Sequence, residues 1–442
     1  LERKYFGTDG IRGIVPDELS PEFAIRVGRA AQIVLAQKNS SCVIGGDTRI
    51  STGLIKSALA SGIAVAGGNV FDAGVIPTPG VSFLVNHFEF AYGGVISASH
   101  NPFEYNGIKF FDDQGFKLSD DVEAKIEELI DSSTIPAVDP GSVGRIFEIE
   151  DGNAIYSDYL TSFLKQIPDM RIVFDCANGA TSIAARMMAE KAGLNAEFIN
   201  TEPDGRNINL NCGATHPDTL ARFVVENGYD GGFAFDGDGD RVIAVDSKGN
   251  QINGDQLLGF LATYYREKGL LKQPVVVGTV MSNYGLEQKL SEQGFKLVRA
   301  KVGDRYVLEE MQAKDAVIGG EDSGHIILLD KSRTGDGLLV AAVILNALAE
   351  NKLTFTDLIN FKPVTRVLIN VRVKDKNSFS EDEIIKQAIS KAEAELVGKG
   401  RIVVRPSGTE PLIRVMVEAE DSEFAASSAK KIAALIEERL GG

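Results

Sequence analysis

The stretch Gly93-Gly94-Val95-Ile96-Ser97-Ala98-Ser99-His100-Asn101-Pro102 is an apolar run that breaks abruptly into small and polar residues. It predicts a strand ending in a loop. Asn101-Pro102 biases the backbone towards a turn, and the small neighbours leave the Ser99 hydroxyl room to face a cleft. Two other places repeat this form: Gly232-Phe233-Ala234-Phe235 leads into Asp236-Gly237-Asp238-Gly239-Asp240-Arg241, and a third strand delivers Gly320-Glu321-Asp322-Ser323-Gly324-His325. Upstream of each lies an apolar strand ending in Gly or Asp, namely Val43-Ile44-Gly45, Ile172-Val173-Phe174-Asp175 and Val275-Val276-Val277-Gly278. A helical stretch follows each, then a second short strand: Asn69-Val70-Phe71-Asp72, Ala196-Glu197-Phe198-Ile199 and Phe295-Lys296-Leu297-Val298. The pattern predicts a threefold internal repeat with mixed or parallel sheets covered by helices. Three equivalent loops then gather at strand ends, where such sheets bind ligands.

From about Lys362 the pattern changes. Residues 364–373 alternate as a strand, 381–396 read as helix, two strands flank 405–411, and 418–440 are largely helical. The fold class is therefore α/β, with three similar mixed-sheet domains and a smaller C-terminal α+β domain. A length of 442 residues accommodates this. The expected limits are 1–152, 153–253, 254–363 and 364–442. Nearer the start, residues 21–37 read as a helix.

Hydrophobic residues make up 44% and charged residues 24%, an ordinary globular balance. No apolar run reaches the roughly 18 residues of a membrane span, and the first residues lack a signal-peptide core. Cys42, Cys176 and Cys212 are too far apart for a metal ribbon and too few for a disulfide framework. A cytoplasmic location is expected. A net charge of −16 argues against non-specific nucleic-acid binding. It leaves room for a small anionic ligand held by local amides and arginines.

Asp236, Asp238 and Asp240 alternate with glycines that let the three carboxylates converge, and such a hard oxygen set favours Mg²⁺ or Ca²⁺. An EF-hand does not fit, because no glutamate stands at the twelfth loop position and a strand precedes the loop. A calcium-decorated surface turn is the competing reading. Near the start, Gly7, Gly10 and Gly13 surround Arg12, which suits a tight loop reaching an anion. Arg405-Pro406-Ser407-Gly408-Thr409-Glu410-Pro411-Leu412-Ile413-Arg414 is dense in donors and fits a phosphate.

Serine, metal and phosphate loop together point to phosphoryl transfer. No Walker loop or kinase signature is present, so a nucleotide donor is not indicated and Ser99 is the candidate covalent carrier. Lys109 and His325 are the candidates for moving protons. A phosphate-pairing lysine and a structural histidine are the alternatives. Glu321 and Ser323 can orient hydroxyls.

These motifs identify the chain as a member of the α-D-phosphohexomutases. The resemblance rests on GTDGIRG, ISASHNP with NGIK, DGDGDR, GEDSGH and RPSGTEP with IRVM, in family order across essentially the whole chain. It implies a heart-shaped enzyme with a central cleft. It further implies that Ser99 carries a phosphoryl group, that Asp236, Asp238 and Asp240 hold Mg²⁺ together with Ser99, and that Arg12 and Arg241 steady the phosphoserine. Glu321 and Ser323 then grip sugar hydroxyls, and Arg405, Ser407, Gly408, Thr409 and Arg414 bind the non-reacting phosphate. The implied catalytic set is Ser99, His100, Lys109, Arg12, Arg241 and His325, with a hexose 1,6-bisphosphate as activator. The opening KYFGTDGIRG and residues 209–216 resemble the branch acting on glucosamine phosphates, which implies a phosphorylated amino sugar as partner and a homodimer through the first domain. Asp322 departs from the glutamine usual there, so a mannose or glucose phosphate mutase is the runner-up. A catalytically silent sugar-phosphate sensor is the reading from another class.

Overall fold

The computed structural model describes residues 4–36, 40–132, 138–375, 378–407 and 411–441. The first domain runs β1 (Phe6–Gly7), β2 (Gly10–Ile14), α1 (Pro21–Leu35), β3 (Ser41–Gly46), α2 (Thr52–Val65), β4 (Asn69–Val75), α3 (Thr78–His87), β5 (Tyr92–Ile96), β6 (Tyr105–Phe111), α4 (Asp120–Asp131) and β7 (Ile146–Glu148). Ser20 caps α1 by accepting the Phe23 N–H, and Pro21 supplies the first-turn φ. The helix stops at Leu35, short of the expected 37, because Ala36 turns extended. Gly28 and Gly62 let α1 and α2 touch backbone to backbone: a Cβ there would lie 2.3 Å from Leu59 O and 2.2 Å from Ile25 O respectively.

The second domain comprises α5 (Gly152–Thr161), β8 (Ile172–Asp175), α6 (Thr181–Ala192), β9 (Ala196–Ile199), α7 (Asp218–Asn227), β10 (Gly231–Phe235), β11 (Val242–Asp246) and β12 (Gln251–Ile252). The third has α8 (Gly254–Glu267), β13 (Val275–Thr279), α9 (Tyr284–Glu292), β14 (Lys296–Ala300), α10 (Asp304–Lys314), β15 (Ile318–Gly320), β16 (Ile326–Leu328) and α11 (Gly337–Asn351). The repeat is visible in the sheet orders. The runs β4-β3-β5-β6, β9-β8-β10-β11 and β14-β13-β15-β16 each place the second strand, then the first, then the third in parallel, and close with an antiparallel fourth. The catalytic-type loops leave the carboxyl end of the third strand each time.

The helix α11 is apolar on every side and buried from Gly337 to Leu348, so it forms the spine of a core shared by the second and third domains. Asp336 starts it, accepting from Leu339 N (2.9 Å) and from the Tyr156 hydroxyl (2.8 Å).

The fourth domain is β17 (Thr365–Arg372), α12 (Glu383–Leu396), β18 (Gly400–Pro406), β19 (Leu412–Ala419) and α13 (Ser422–Leu440), with an antiparallel sheet ordered β17-β19-β18. Three details differ from the sequence reading. Arg405 and Arg414 lie within the strands, directly paired across the ladder, rather than in the connecting loop. Glu418 belongs to β19, because Asp421 caps the helix three residues later. In the same way Asp382 caps α12 and delays it past the expected 381.

Candidate active site

The three loops after β5, β10 and β15 meet in one cleft. Ser99 is buried and takes a left-handed backbone conformation, φ +52°, which costs a non-glycine residue about 1–2 kcal/mol. Its hydroxyl donates to Asp236 Oδ2 at 2.6 Å and lies 3.3 Å from His100 Nδ1. Burial, then the guanidiniums of Arg241 and Arg12, push His100 down to about 4, so the imidazole beside Ser99 is neutral at neutral pH.

Asp236, Asp238 and Asp240 each offer a carboxylate oxygen within 4.8 Å of the others, all buried. Burial and the charges of Asp240 and Asp238 push Asp236 well above the usual carboxylate range. Asp238 Oδ1 and Asp240 Oδ1 are buried with no hydrogen-bond partner among the described residues. Two orphaned oxygens beside a third crowded carboxylate fit a hard divalent cation. The first domain supports this loop: Thr78, opening α3, donates its N–H to Asp238 O (2.9 Å) and its hydroxyl to Asp238 Oδ2 (2.7 Å).

Above the triad opens a cavity of about 730 Å³ to which all four domains contribute, through Arg12 and His100, Arg241, Glu321, and Arg405 with Arg414. The four arginines that line it, from the first, second and fourth domains, can take anionic groups. Arg241 anchors its N–H on Asp236 Oδ1 (3.1 Å), and Arg12 pairs with Asp9. Glu321 Oε1 accepts the Gly303 N–H at 3.0 Å, and the neighbouring Ser323 hydroxyl is buried without a hydrogen-bond partner among the described residues. Ser407 is buried at the end of β18, with its N–H on Leu412 O (2.8 Å). Gly408 and Thr409 lie outside the described residues.

Lys109 Nζ is buried against Asp238 (2.9 Å) and Asp9 (2.8 Å). Burial alone would lower it, but Asp238, Asp9 and Asp240 outweigh burial and hold it as an ammonium. His325 sits between Asp240 and Asp304, 3.6 Å from each. Burial pulls its titration down, Asp240 and Asp304 pull it further up, and the Lys117 ammonium opposes them; the Gly335 N–H donates to Nε2 (3.2 Å), which in the neutral ring assigns the proton to Nδ1.

Three charged groups escape the motif reading: Lys117 pairs with Asp304 and with Asp9 (2.5 Å), joining the third domain to the first beside His325. Asp9 had a signal, lying inside the glycine loop around Arg12. Lys117 and Asp304 had none, because only the approach of two domains makes them neighbours. Asn209, in the stretch read as marking the sugar branch, faces the back of the Ser99 loop instead of the cleft.

The sequence matches all four domain models of one family. They are the α/β/α domains I (residues 3–136), II (154–249) and III (253–364) and the C-terminal domain (368–435) of phosphoglucomutase/phosphomannomutase. The chain belongs to the phosphohexomutases. A curated relative of this phosphohexomutase, the phosphoglucosamine mutase of Carboxydothermus hydrogenoformans, is 46% identical over 440 residues, covering 98% of this chain and 99% of its own. Among solved structures, a phosphoglucomutase/phosphomannomutase family protein from Burkholderia thailandensis superposes with TM-score 0.82 at 23% identity, over 98% of this chain and 97% of that one. The N-acetylphosphoglucosamine mutase of Aspergillus fumigatus, solved in complex with GlcNAc-6P and magnesium, gives 0.69 at 17% identity, over 98% and 96%. At those identities the likeness is one of fold.

Proposed function

We propose that this phosphohexomutase interconverts glucosamine 6-phosphate and glucosamine 1-phosphate, as the names of its relatives at full length suggest. The observation that carries the reading is the Ser99 hydroxyl, bonded to Asp236 of the acidic triad, next to a cavity that His100 and Asp240 line together with four arginines. Ser99, once phosphorylated by a hexose 1,6-bisphosphate, gives its phosphoryl group to the O1 hydroxyl of the 6-phosphate. The P–Oγ bond breaks, a P–O1 bond forms, and the hydroxyl proton passes to a neighbouring base. The bisphosphate turns over in the cleft and its 6-phosphoryl group returns to Ser99, while O6 regains a proton.

In this reading Arg12 and Arg241 steady the phosphoserine. Arg405 and Arg414, with Ser407, Gly408 and Thr409, hold whichever phosphate is not reacting, and Glu321 and Ser323 orient the sugar hydroxyls. His325, Lys109 and His100 are the groups able to hold or move a proton. Asp236, Asp238, Asp240 and Ser99 would hold Mg²⁺, which supplies charge stabilisation for the transferring phosphoryl oxygens. Exposed Ile25, Leu54 and Val65 on α1 and α2 support dimerisation through the first domain. Among the described residues no helix is long and apolar enough to cross a membrane, and we place the enzyme in the cytoplasm. Changes of sheet support domain limits of 1–152, 153–253, 254–363 and 364–442.

The test compares kcat/KM for glucosamine 6-phosphate, glucose 6-phosphate and mannose 6-phosphate with Mg²⁺ and a trace of activating bisphosphate. A preference for the amino sugar of about tenfold, worth about 1.4 kcal/mol, is expected. A preference for either neutral sugar overturns the substrate, and turnover by Ser99→Ala overturns the mechanism.

A further inference from the structure

The Ser99 carbonyl, on the side away from the cleft, receives donors from two domains. Arg49, just after β3, has a fully buried side chain. Its Nη2 donates to Ser99 O (2.9 Å) and Asn101 O (2.8 Å), and its Nη1 to Pro102 O. Asn209 Nδ2, from the second domain, donates to the same two carbonyls, Ser99 O at 2.9 Å and Asn101 O at 3.3 Å. Both lone pairs of Ser99 O are thus used.

Each donor is itself fixed. Asp47 holds Arg49 through Nε (2.8 Å) and its backbone N–H (3.0 Å), and accepts the Ser97 hydroxyl (2.6 Å), which in turn receives the Ser99 N–H (2.9 Å). Asn209 is left-handed, φ +59°, with its N–H on Ala177 O (2.9 Å). Gly237 makes room for it: a Cβ there would lie 2.7 Å from both Asn209 Nδ2 and Ser99 O.

Resting on the phosphoserine reading above, we propose that Arg49 and Asn209 are positioning residues for the transfer step. They hold the Ser99 carbonyl from behind, so that the disfavoured left-handed backbone persists and Oγ stays aimed at Asp236. Neither touches the cavity that takes the sugar phosphate. Their loss therefore lowers kcat and leaves KM in place. A lysine cannot substitute for Arg49, because only the planar guanidinium reaches three carbonyls and Asp47 at once.

The experiment takes the full chain as Asn209→Ala, Asn209→Gln and Arg49→Lys. It reads hydrogen exchange over residues 97–102 and steady-state kinetics with glucosamine 6-phosphate. For Asn209→Ala we expect at least tenfold faster exchange confined to that loop. We expect kcat down ten- to a hundredfold, KM within twofold of the parent, and no rescue by glutamine. Unchanged loop exchange with unchanged kcat overturns the proposal, as does a joint loss of kcat, KM and exchange protection across the domain. If Arg49→Lys does not fold, Asn209→Ala decides alone. Should the parent protein turn over no sugar phosphate, the substrate reading falls, and the exchange measurement still decides whether the loop is clamped.

Discussion

Asp322 stands between two residues assigned to the sugar, yet its carboxylate turns the other way and takes Arg366 Nη1 of the fourth domain at 3.1 Å. The variant Asp322→Ala separates the two roles. The side chains of Arg366 and Asp322 remain 25% and 31% exposed, so water screens much of their attraction. Arg366 also keeps Glu418 (2.6 Å) and the Met281 carbonyl. The pair's net worth is then about 1 kcal/mol, the upper end for solvent-accessible ion pairs. That amounts to about fivefold in the equilibrium that docks the fourth domain, and with it Arg405 and Arg414, over the cleft. Initial rates with glucosamine 6-phosphate and glucose 6-phosphate should show KM rising roughly two- to fivefold for both sugars, with the difference shrinking at high salt. The ratio of kcat/KM between the sugars should stay within about twofold. A tenfold change in that ratio, with KM for one sugar unmoved, would refute the reasoning and restore Asp322 as a sugar-reading residue.

Asp255, buried at the start of α8, is pushed up to about 7 by burial, against the opposing Asn283 N–H. The folded chain therefore keeps a proton there that an unfolded chain releases near pH 4, and stability falls as pH rises from about 4 to about 7, by about 4 kcal/mol in all. Asp255→Asn should flatten that part of the Tm–pH curve, and parallel curves would remove Asp255 as its cause. Chelation should stop turnover. Mg²⁺ at about a hundred times its Kd should stabilise the parent by about 2.7 kcal/mol and Asp238→Asn far less, read as a shift in Tm. Gly62→Ala places a methyl group against Ile25 O and should destabilise the first domain by about 1–3 kcal/mol in thermal melts, since α1 and α2 have no room to part. An unchanged melt would mean that the helices yield.

The polar loops were legible because each interrupts a buried strand, where a run such as Gly-Phe-Ala-Phe followed by alternating aspartates has few other uses. The threefold repeat of strands and helices was legible from its repetition, whereas the sheet order and the antiparallel fourth strand depend on pairings that the sequence does not mark. Periodicity gave less at α11, whose apolar residues face every direction and so leave no stripe. Arg405 and Arg414 read as loop residues because of the Pro-Ser-Gly between them, yet the ladder continues up to Pro406 and resumes at Leu412. Lys117, Asp304 and Arg49 each reach a partner fifty or more positions away, and no local pattern marks such contacts. Asp322 was read from its neighbours in sequence, whereas its direction is set by an arginine of another domain.

The bond from Ser99 to Asp236, the hold of Thr78 on Asp238 and the grip of Asn209 on the Ser99 carbonyl all run between the first two domains. Those two units must be inherited together. A hybrid gene joined near residue 152 would bring mismatched halves to one reacting atom, whereas an exchange near residue 363 crosses the Arg366–Asp322 ion pair and the hydrogen bonds that Glu418 accepts from Asn283 and the Tyr284 N–H. In an exchange of domains the first half then behaves as a single block, and the fourth domain is the unit that can be moved by itself.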